Sequence, residues 1–468
     1  MTLELLKDAK MSDERPIAII GAGPIGLAAA THLIERGLSV KVYEAGSEVG
    51  TNIRDWGHVR IFTPWRYCID DASSRLLKRY CWQMPDAEAF PTGEDLVRSF
   101  LEPLAATPEL ARVIETEARI VSISRWGADK VLSKERSSRL FMLVVKTKHG
   151  IRRDSARAVI DASGTWATPN PLGAGGIAAE GEIENAARIS YGIPDVMGRD
   201  RPLYEGQATL IAGSGHSAAN ALLDFVQLRK EVRDTRFIWA TRSSDLVRIY
   251  GGGDADQLPA RGELGANVRE LVESDQIKLV TGFAVVAVRE KNGHLLVEGQ
   301  TSVGMQTLGP VDRIIAATGQ RPDLSLTREL RLELDPWLES TRALGPLIDP
   351  NEHSCGTVPP HGHRELSHPE PGFYTVGIKS YGRASTFLLL TGYEQVRSVV
   401  AAIAGDEQAA NKVELLLPET GVCSGPDLTL EGQACCGGPP PEGIAACCVL
   451  DATEKAAGKT GCGCGARA

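Results

Sequence analysis

The amino-acid sequence predicts an α/β protein with two Rossmann-like domains, one inserted into the other, followed by a Cys-rich C-terminal tail. A short apolar run, a glycine cluster and a helical pattern follow one another twice, first from Pro16 and again from Ala208. This order is typical of a βαβ unit with a buried parallel strand. Seven of the ten cysteines lie after Gly421, which separates the tail from the rest of the chain.

Composition and charge limit the class of protein. The chain has 468 residues, which is too long for one ordinary hydrophobic core, so we expect several domains. Its 43% apolar and 24% charged residues are typical of a globular protein. The net charge of −9 argues against nucleic acid or an anionic membrane surface as partner. No apolar run predicts a membrane span and no export signal is recognisable, so we expect a cytoplasmic location.

The first βαβ unit predicts a dinucleotide site. A strand over 16–20, a helix over 28–34 and a strand over 39–43 surround the motif Gly21-Ala22-Gly23-Pro24-Ile25-Gly26. In this pattern Gly21 permits the tight turn, Gly23 lets the backbone approach the diphosphate, and Gly26 allows close packing of helix and strand. Pro24 and Ile25 begin the helix, whose N-terminal N–H groups and partial positive charge favour a diphosphate.

An acid at the end of the second strand assigns this first site to FAD. Glu44, with Ala45 after it, stands where a carboxylate binds ribose hydroxyls. Strand, helix and terminal acid together make the assignment much stronger than the glycine motif alone would be.

The second βαβ unit predicts a nicotinamide dinucleotide site. Its strand (209–212), helix (217–228) and next strand (236–240) enclose the motif Gly213-Ser214-Gly215-His216-Ser217-Ala218. Gly213 and Gly215 correspond to the first two glycines of the pattern, and Ala218 is tolerated at the third. Ser217 begins the helix, and His216 either contacts a phosphate or has a structural role in the turn.

Arginine in place of an acid favours NADPH over NADH at this second site. The strand ends in Ala240-Thr241-Arg242-Ser243-Ser244. An acid there would repel a 2′-phosphate, whereas Arg242 with hydroxyl neighbours would hold it. The alternative is that Arg242 is a solvated loop charge.

The remaining patterns define the domain organisation. Antiparallel strands are predicted near 118–124 and 140–147, with basic loop residues after them, and further strands at 157–160, 277–280, 284–289, 294–298, 311–317 and 372–376. An apolar stretch over 386–403 has helical periodicity. We predict an FAD domain formed by 15–200 and 325–405, an inserted NAD(P)H domain over 201–324, and a tail over 406–468.

Two small-residue turns mark the expected crossings between the domains. The segments Asp161-Ala162-Ser163-Gly164 and Ala316-Ala317-Thr318-Gly319 each end a buried strand. A protein with two dinucleotide sites uses one for a flavin and the other for the hydride donor. We therefore place Asp161, Gly164 and Gly319 at the cofactor sites.

From 16 to 405 the chain resembles the FAD/NAD(P)H flavoproteins that include flavin-containing monooxygenases and thioredoxin-reductase-like enzymes. It is most similar to the monooxygenase-like flavoproteins of bacterial arsenic-resistance operons, through segments 193–198, 213–220 and 379–383. The resemblance implies NADPH-dependent oxidoreductase chemistry on a small molecule, in the specific case an arsenical.

The sequence also departs from these families. The F-x-G-x-x-x-H-S run of the monooxygenases is absent before the second glycine motif, and the body of the chain has no C-x-x-C of the reductases. The Gly-Asp that binds the FAD ribityl chain is replaced by Gly377-Ile378-Lys379. Gly377 and Thr386, the latter at the start of the closing helix, are still assigned to the FAD site.

Aromatic and cationic residues after the first unit are candidates for the reaction centre. In the resembling class, the region around Trp56 and Phe62 approaches the flavin and the substrate. Trp56 could form a wall for the flavin, and Arg60 or Arg66 could hold an anion; packing of a surface loop is the alternative. Lys379 could place positive charge near the flavin, or could lie at the surface.

A histidine-rich loop holds the third candidate for the reaction centre. Cys355 lies beside His353, His361, His363 and His368. Such a set could bind zinc or a thiophilic substrate, but the spacing matches no standard zinc pattern. Cys355 is our candidate for a thiol close to the flavin.

The tail concentrates soft ligands. Thiolates select soft ions, including trivalent metalloids, and trivalent arsenic takes three of them. The candidate metal ligands are Cys435, Cys436, Cys447, Cys448, Cys462 and Cys464. The alternatives are a dithiol relay that accepts electrons from the flavin, or chance cysteines in a disordered tail.

Three functions follow from these patterns. The first is an NADPH-dependent, monooxygenase-like FAD oxidoreductase. The second is a thiol or disulfide reductase that uses the tail. The third is a metalloid-binding protein on a flavin scaffold. A homodimer is a possible assembly.

Overall fold

The structure is a computed structural model, and it describes residues 15–244, 246–250, 259–351, 358–385 and 387–415. Its strands in chain order are β1 (Ile17–Ile20), β2 (Val40–Tyr43), β3 (Ile114–Glu115), β4 (Arg119–Arg125), β5 (Phe141–Thr147), β6 (Gly150–Ala156), β7 (Ala158–Asp161), β8 (Ile189–Tyr191), β9 (Ala208–Ala212), β10 (Arg236–Ala240), β11 (Lys278–Val280), β12 (Ala284–Lys291), β13 (His294–Thr301), β14 (Gly304–Val311), β15 (Arg313–Ala316) and β16 (Phe373–Thr375).

The α-helices in chain order are α1 (Pro24–Glu35), α2 (Thr51–Asp55), α3 (Asp71–Lys78), α4 (Gly93–Leu96), α5 (Glu102–Ala105), α6 (Pro108–Ala111), α7 (His216–Glu231), α8 (Val247–Tyr250), α9 (Pro259–Glu273), α10 (Gly345–Ile348), α11 (Leu389–Ile403) and α12 (Glu407–Asn411). A π-helical segment, Val97–Leu101, joins α4 to α5. Short 3₁₀ turns occur at Trp65–Tyr67, Arg136–Ser138, Ala186–Arg188, Arg201–Leu203, Ser325–Thr327 and Gly377–Tyr381.

Two five-stranded parallel sheets form the centres of the two Rossmann-like domains. The first has the order β16-β7-β1-β2-β3 and the second the order β11-β10-β9-β15-β8. β1 and β9 are buried along their whole length, because a parallel sheet is covered on both faces. In the first domain α1 packs against α11 beside the sheet. The predicted α/β fold is confirmed for the part of the chain that the structure describes.

Each parallel sheet is accompanied by a three-stranded antiparallel sheet. β4-β5-β6 lies with the first domain and shares a core with β1 and β7, and β12-β13-β14 shares a core with β9 and β15. The two hairpin sheets leave the carboxyl ends of the parallel strands available, and ligands bind at this edge in open α/β folds.

The structure corrects three details of the secondary structure expected from the sequence. The basic residues after 147 form strand β6, because Arg152 is neutralised by Glu115 and by Asp154. The strand expected over 311–317 is the end of β14 followed by β15. The helix expected from 386 begins at Leu389.

The predicted domain boundaries stay a prediction. β8 lies before the predicted boundary at residue 200, and it pairs in parallel with β15 of the second sheet. Among the described helices, none combines the length and apolar character needed to cross a bilayer.

Candidate functional site

The first glycine turn follows β1 at the carboxyl edge of the first sheet. Gly21 has φ +99°, and a Cβ on it would lie 2.8 Å from the carbonyl oxygen of Ala162. A Cβ on Gly26 would lie 1.9 Å from the carbonyl oxygen of Gly21, so helix and strand can pack this closely only without a side chain here. A Cβ on Gly23 would meet no atom within 4 Å. The turn is therefore tightly packed on its inner side and open at Gly23.

Helix α1 starts at this open position without a capping side chain. Gly23 is its N-cap, with extended backbone, and no side chain of the described residues caps it; Pro24 occupies the first helical turn. Pro24 and Ile25 are part of the wall of a cavity. The first N–H groups of a helix lack intrahelical partners, so an uncapped end that faces a cavity can bind an anion.

Glu44 stabilises the same turn through two hydrogen bonds. Its Oε2 accepts a hydrogen bond from the Ala22 N–H at 2.8 Å, and its Oε1 accepts one from the Gly46 N–H at 2.8 Å. The side chain is nearly buried and still contributes to the cavity wall. Each carboxylate oxygen has further acceptor capacity, so a ribose hydroxyl can add to these two bonds. Ala45, which follows, is exposed and lies outside the wall.

The second glycine turn repeats this arrangement. A Cβ on Gly213, which has φ +140°, would lie 2.2 Å from the carbonyl oxygen of Ala317, whereas a Cβ on Gly215 would meet no atom within 4 Å. α7 begins after Gly215, and among the described residues no side chain caps it. Ala218 is completely buried, as expected where helix and strand pack closely. Both helices thus start at an uncapped, sterically open glycine.

One cavity of about 430 Å³ extends from the first turn to the start of α7. Its wall includes the first turn, Glu44, residues 50–53, 59–62 and 162–166, and the start of α7 through His216, Ser217 and Asn220. Gly377 and Ile378 close another side. A volume in this range is typical of a small-molecule or cofactor site.

Aromatic side chains line the region where the two domains meet. Trp56 lies with its ring centroid 6.5 Å from that of Trp166, and Phe62 lies 5.2 Å from His216. The indole Nε1–H of Trp166 donates to Asp55 Oδ2 at 3.0 Å. Trp56, a predicted cofactor residue, is therefore part of the cavity wall, in a position where an aromatic plane can pack on a flat ligand.

Lys379 is buried and does not lie at the protein surface. Its Nζ donates to Asp161 Oδ2 at 2.7 Å and to Ser163 Oγ at 2.9 Å, and the side chain is 1% exposed. Asp161 Oδ1 also accepts from the N–H and the hydroxyl of Ser163. The surface position considered for Lys379 is wrong, because its side chain is buried in an ion pair with Asp161. Positive charge of Lys379 near the flavin stays a prediction. Asp161 lies behind the wall, which Ser163 and Gly164 form directly.

The Gly377 turn is held from the closing helix. The Gly377 N–H donates to Gln395 Oε1 at 2.7 Å, and Gln395 Nε2 donates to Ser380 Oγ at 2.9 Å. Gln395 Nε2 also lies 2.9 Å from Nε2 of His361, whose Nδ1 lies 3.0 Å from the carbonyl oxygen of Pro359. Burial lowers the pKa of His361, so its neutral ring accepts from Gln395. His361 is thus a buried structural histidine.

The two small-residue turns lie where the chain passes between the sheets. The segments that follow them pair with each other: the Arg321 N–H donates to the Thr168 carbonyl oxygen at 3.0 Å, and the Asn170 N–H donates to that of Gly319 at 2.9 Å. Gly319 has φ +80°, and its neighbour Gln320 reaches the cavity wall. The chain therefore crosses between the two sheets through two segments that run side by side.

The two arginines predicted at the site lie in different surroundings. Arg60 belongs to the cavity wall and is exposed, which places it at the cavity mouth. Arg242 lies beyond β10, is exposed, and donates from Nη1 to the Ala174 carbonyl oxygen at 2.9 Å. Contact of Arg242 with a 2′-phosphate stays a prediction.

Several predicted site residues lie outside the described part of the chain, namely Cys355, Thr386, Cys435, Cys436, Cys447, Cys448, Cys462 and Cys464. Within the described part, Cys68 is buried and Cys81 is exposed, and neither belongs to the cavity wall. Burial raises the pKa of the Cys68 thiol to about 11. The described residues contain no cluster of three or more metal-binding side chains.

Sequence reasoning missed several residues of the wall and its support. Asn220, Gln320 and Ile378 reach the wall, and Gln395 positions it from behind. Asn220 lies within the second motif segment and could have been found by its helical register. Gln395 gives no such signal, because a buried glutamine within an apolar helix is recognisable only once its partner is placed.

These features together fit two dinucleotides. The cradle at Gly23 would be filled by a Cβ, neither helix start has a side-chain cap among the described residues, and a carboxylate with spare acceptor capacity stands at the ribose position. Because the second turn has the same construction, the sequence-based expectation of FAD and NADPH is supported by the geometry.

The fold is shared with solved flavoenzymes. Bacillithiol disulfide reductase from Bacillus cereus superposes with a TM-score of 0.61 at 16% identity, covering 84% of this chain and 99% of its own. A variant of the flavin monooxygenase from Stenotrophomonas maltophilia gives 0.55 at 20% identity, with coverages of 84% and 99%. The ornithine N-hydroxylase from Kutzneria sp. 744 gives 0.54 at 16% identity, again with 84% and 99%. At these identities the likeness shows the fold.

Comparison with curated proteins gives no match. A family profile does match: the profile described as pyridine nucleotide-disulphide oxidoreductase aligns with residues 18–343, which is more than half of the chain and contains both glycine turns. The protein is a member of the pyridine nucleotide-disulphide oxidoreductase family.

Proposed function

We propose that this protein is an NADPH-dependent FAD oxidoreductase of the monooxygenase-like kind. The observation that carries the proposal is one cavity whose wall contains the first glycine turn and the start of α7, the helix that follows the second turn. Two dinucleotides held at these turns would place their redox ends in one space. The solved complex of the Kutzneria hydroxylase contains reduced FAD and NADP⁺ together, which supports the same pairing here.

The residues of the chain take distinct roles in this proposal. The N–H groups at the start of α1 bind the FAD diphosphate, and Glu44 accepts from its ribose. The N–H groups at the start of α7 bind the diphosphate of NADPH. Gly164, Gly377 and Trp56 enclose the flavin ring and exclude water. FAD, when bound, supplies the two-electron redox chemistry.

Two measurements on the purified protein test this proposal. We expect the protein to carry FAD, and NADPH to remove the yellow flavin absorbance without oxygen much faster than NADH does. Protein that lacks flavin, or flavin that NADPH leaves oxidised, would contradict it. Oxygen uptake that matches NADPH consumption and depends on an added substrate would support the monooxygenase-like form.

A second candidate is a thiol or disulfide reductase that uses the tail cysteines. The family name and the likeness to bacillithiol disulfide reductase favour it. Since no cysteine lies in the described cavity wall, such an enzyme would need a thiol from outside the described residues or from the substrate. Replacement of Cys435, Cys436, Cys447 and Cys448 by Ser would then abolish disulfide reduction and leave flavin reduction by NADPH intact. Cys81→Ser is the matched control.

An arsenical substrate is the specific form of the first proposal, and a metalloid-binding protein is its rival. Trivalent arsenicals that stimulate NADPH consumption would support the substrate. Tight binding of arsenite by the cysteines, without NADPH turnover, would support the rival. We also propose a cytoplasmic location. We further propose a homodimer, and light scattering of the purified protein would test this assembly.

A further inference from the structure

The cavity wall contains a single cation. Of the residues that form it within the described chain, only Glu44 and Arg60 carry a formal charge at neutral pH. Glu44 already accepts two backbone N–H groups at the first turn. Arg60 is therefore the one lysine or arginine of the described wall, and it lies at the cavity mouth.

Nearby arginines have acidic partners, and Arg60 has none among the described residues. Arg66 pairs with Glu88 and its guanidinium lies 4.7 Å from the Tyr67 ring centroid. Arg54 pairs with Glu48 and with Glu102. No described carboxylate lies within salt-bridge distance of Arg60. Its guanidinium keeps five N–H donors in a planar fork that matches an oxyanion.

The backbone holds Arg60 in the same cavity wall as the start of α7. Residues 59–61 are extended along residues 91–93: the Ile61 N–H donates to the Pro91 carbonyl oxygen at 2.8 Å, and Arg60 forms a bridge with Thr92. The Phe62 ring contacts His216, the first residue of α7. Arg60 and the first residues of α7, His216 and Ser217, belong to the same cavity wall.

We propose that Arg60 binds an oxyanion that the second ligand carries into the cavity, opposite the N terminus of α7. This inference rests on the proposed function, since that function supplies the second ligand. The oxyanion belongs either to the diphosphate of NADPH or to an acidic group of the substrate. In both cases a residue of the FAD domain completes a site whose other half is in the inserted domain.

The test uses the FAD-loaded protein and three variants. Arg60→Met keeps the apolar stem and removes the charge, and Arg60→Lys keeps the charge without the fork. Arg75→Met, which removes an exposed pair with Glu35 outside the cavity wall, is the matched control. NADP⁺ and inorganic sulfate are titrated separately, with the flavin absorbance spectrum as readout. Charged hydrogen bonds of this kind are worth roughly tenfold or more in affinity. We expect Arg60→Met to weaken the binding of a ligand by that factor, Arg60→Lys to weaken it less, and Arg75→Met to leave it unchanged.

The pattern of losses identifies the source of the oxyanion. Weaker NADP⁺ binding by Arg60→Met assigns Arg60 to the NADPH diphosphate. Unchanged NADP⁺ binding with loss of the sulfate response assigns it to the substrate. Unchanged titrations of both ligands overturn the proposal, and so does a selective loss of FAD. If the wild-type flavin is not reduced by NADPH, the proposed function fails, and the sulfate titration still decides whether Arg60 is an oxyanion site.

Discussion

Lys379 Nζ lies 2.7 Å from Asp161 Oδ2, and both side chains are buried. Asp161 ends β7 and begins one turn of the cavity wall, while Lys379 lies in the 3₁₀ turn that forms another part of it. The ion pair therefore connects two segments 218 residues apart in sequence and fixes the separation between them. Ser163 satisfies a further hydrogen bond on each partner, as a buried charge pair requires.

Lys379→Met should destabilise the protein strongly. The substitution leaves the Asp161 carboxylate buried without its counter-charge, which costs about 3–5 kcal/mol of unfolding free energy. Adding Asp161→Asn should restore much of this loss, because the second change removes the uncompensated charge. Urea unfolding measures both, and Lys148→Met, which removes an exposed pair with Glu117, should cost less than about 1 kcal/mol. Independent, additive losses in the double variant would contradict the pairing.

Two neighbouring glycines of the first turn should respond in opposite ways to alanine. Gly23→Ala adds a methyl group to open space, so the unfolding free energy should change by about 1 kcal/mol or less. The same methyl group occupies the space in front of the helix end, so FAD content after purification should fall sharply. Gly26→Ala drives a Cβ into the Gly21 carbonyl oxygen and should prevent a stable fold. Full FAD content in a folded Gly23→Ala protein would show that the diphosphate lies elsewhere.

The second turn offers the same contrast for NADPH. Gly215→Ala should keep the fold and the bound FAD, because its Cβ meets no atom within 4 Å, yet weaken NADP⁺ binding by roughly tenfold or more. Gly213→Ala meets the Ala317 carbonyl oxygen at a backbone φ of +140° and should destabilise the inserted domain. Titration of the FAD-loaded protein with NADP⁺ measures the first effect, and thermal unfolding the second. Normal NADP⁺ affinity in Gly215→Ala would remove the second turn from the dinucleotide site.

The turns and central strands could be predicted from the sequence because their requirements are local. Gly21 and Gly213 have positive φ beside a backbone carbonyl, and such a constraint is visible as a glycine after an apolar run. The buried strands are readable for the same reason, since a sheet covered on both faces selects continuous apolar residues.

What could not be predicted depends on contacts between distant segments. Lys379 and Gln395 are polar residues whose buried partners, Asp161 and the Gly377 N–H, are set by the fold. Strand β6 was not predicted from the sequence, because an arginine such as Arg152 is typical of a solvated loop. In the structure Glu115, which is distant in sequence, neutralises it. In each case a charge or amide that favours solvent in isolation is compensated by tertiary structure.

His368 should make the protein less stable in mild acid. Burial lowers the pKa of its imidazole to about 4, and its Nε2 is buried with no hydrogen-bond partner among the described residues. The unfolded chain has a histidine pKa of about 6.5, so between these values it binds a proton that the folded protein does not. Stability then rises with pH over this window, and it is lost as the pH falls from about 6.5 toward 4.

The expected size of the effect follows from the two pKa values. Between pH 7.5 and pH 5 the His368 contribution should fall by about 2 kcal/mol. Asp224 acts in the opposite direction, because burial raises its pKa to about 6 and its folded form keeps a proton that the unfolded chain releases. The wild type alone can therefore show a flat profile. The measurement is the difference in unfolding free energy between wild type and His368→Leu, in which the Asp224 contribution cancels. A difference that is constant over this pH range would mean that the imidazole titrates in the folded protein as it does in water.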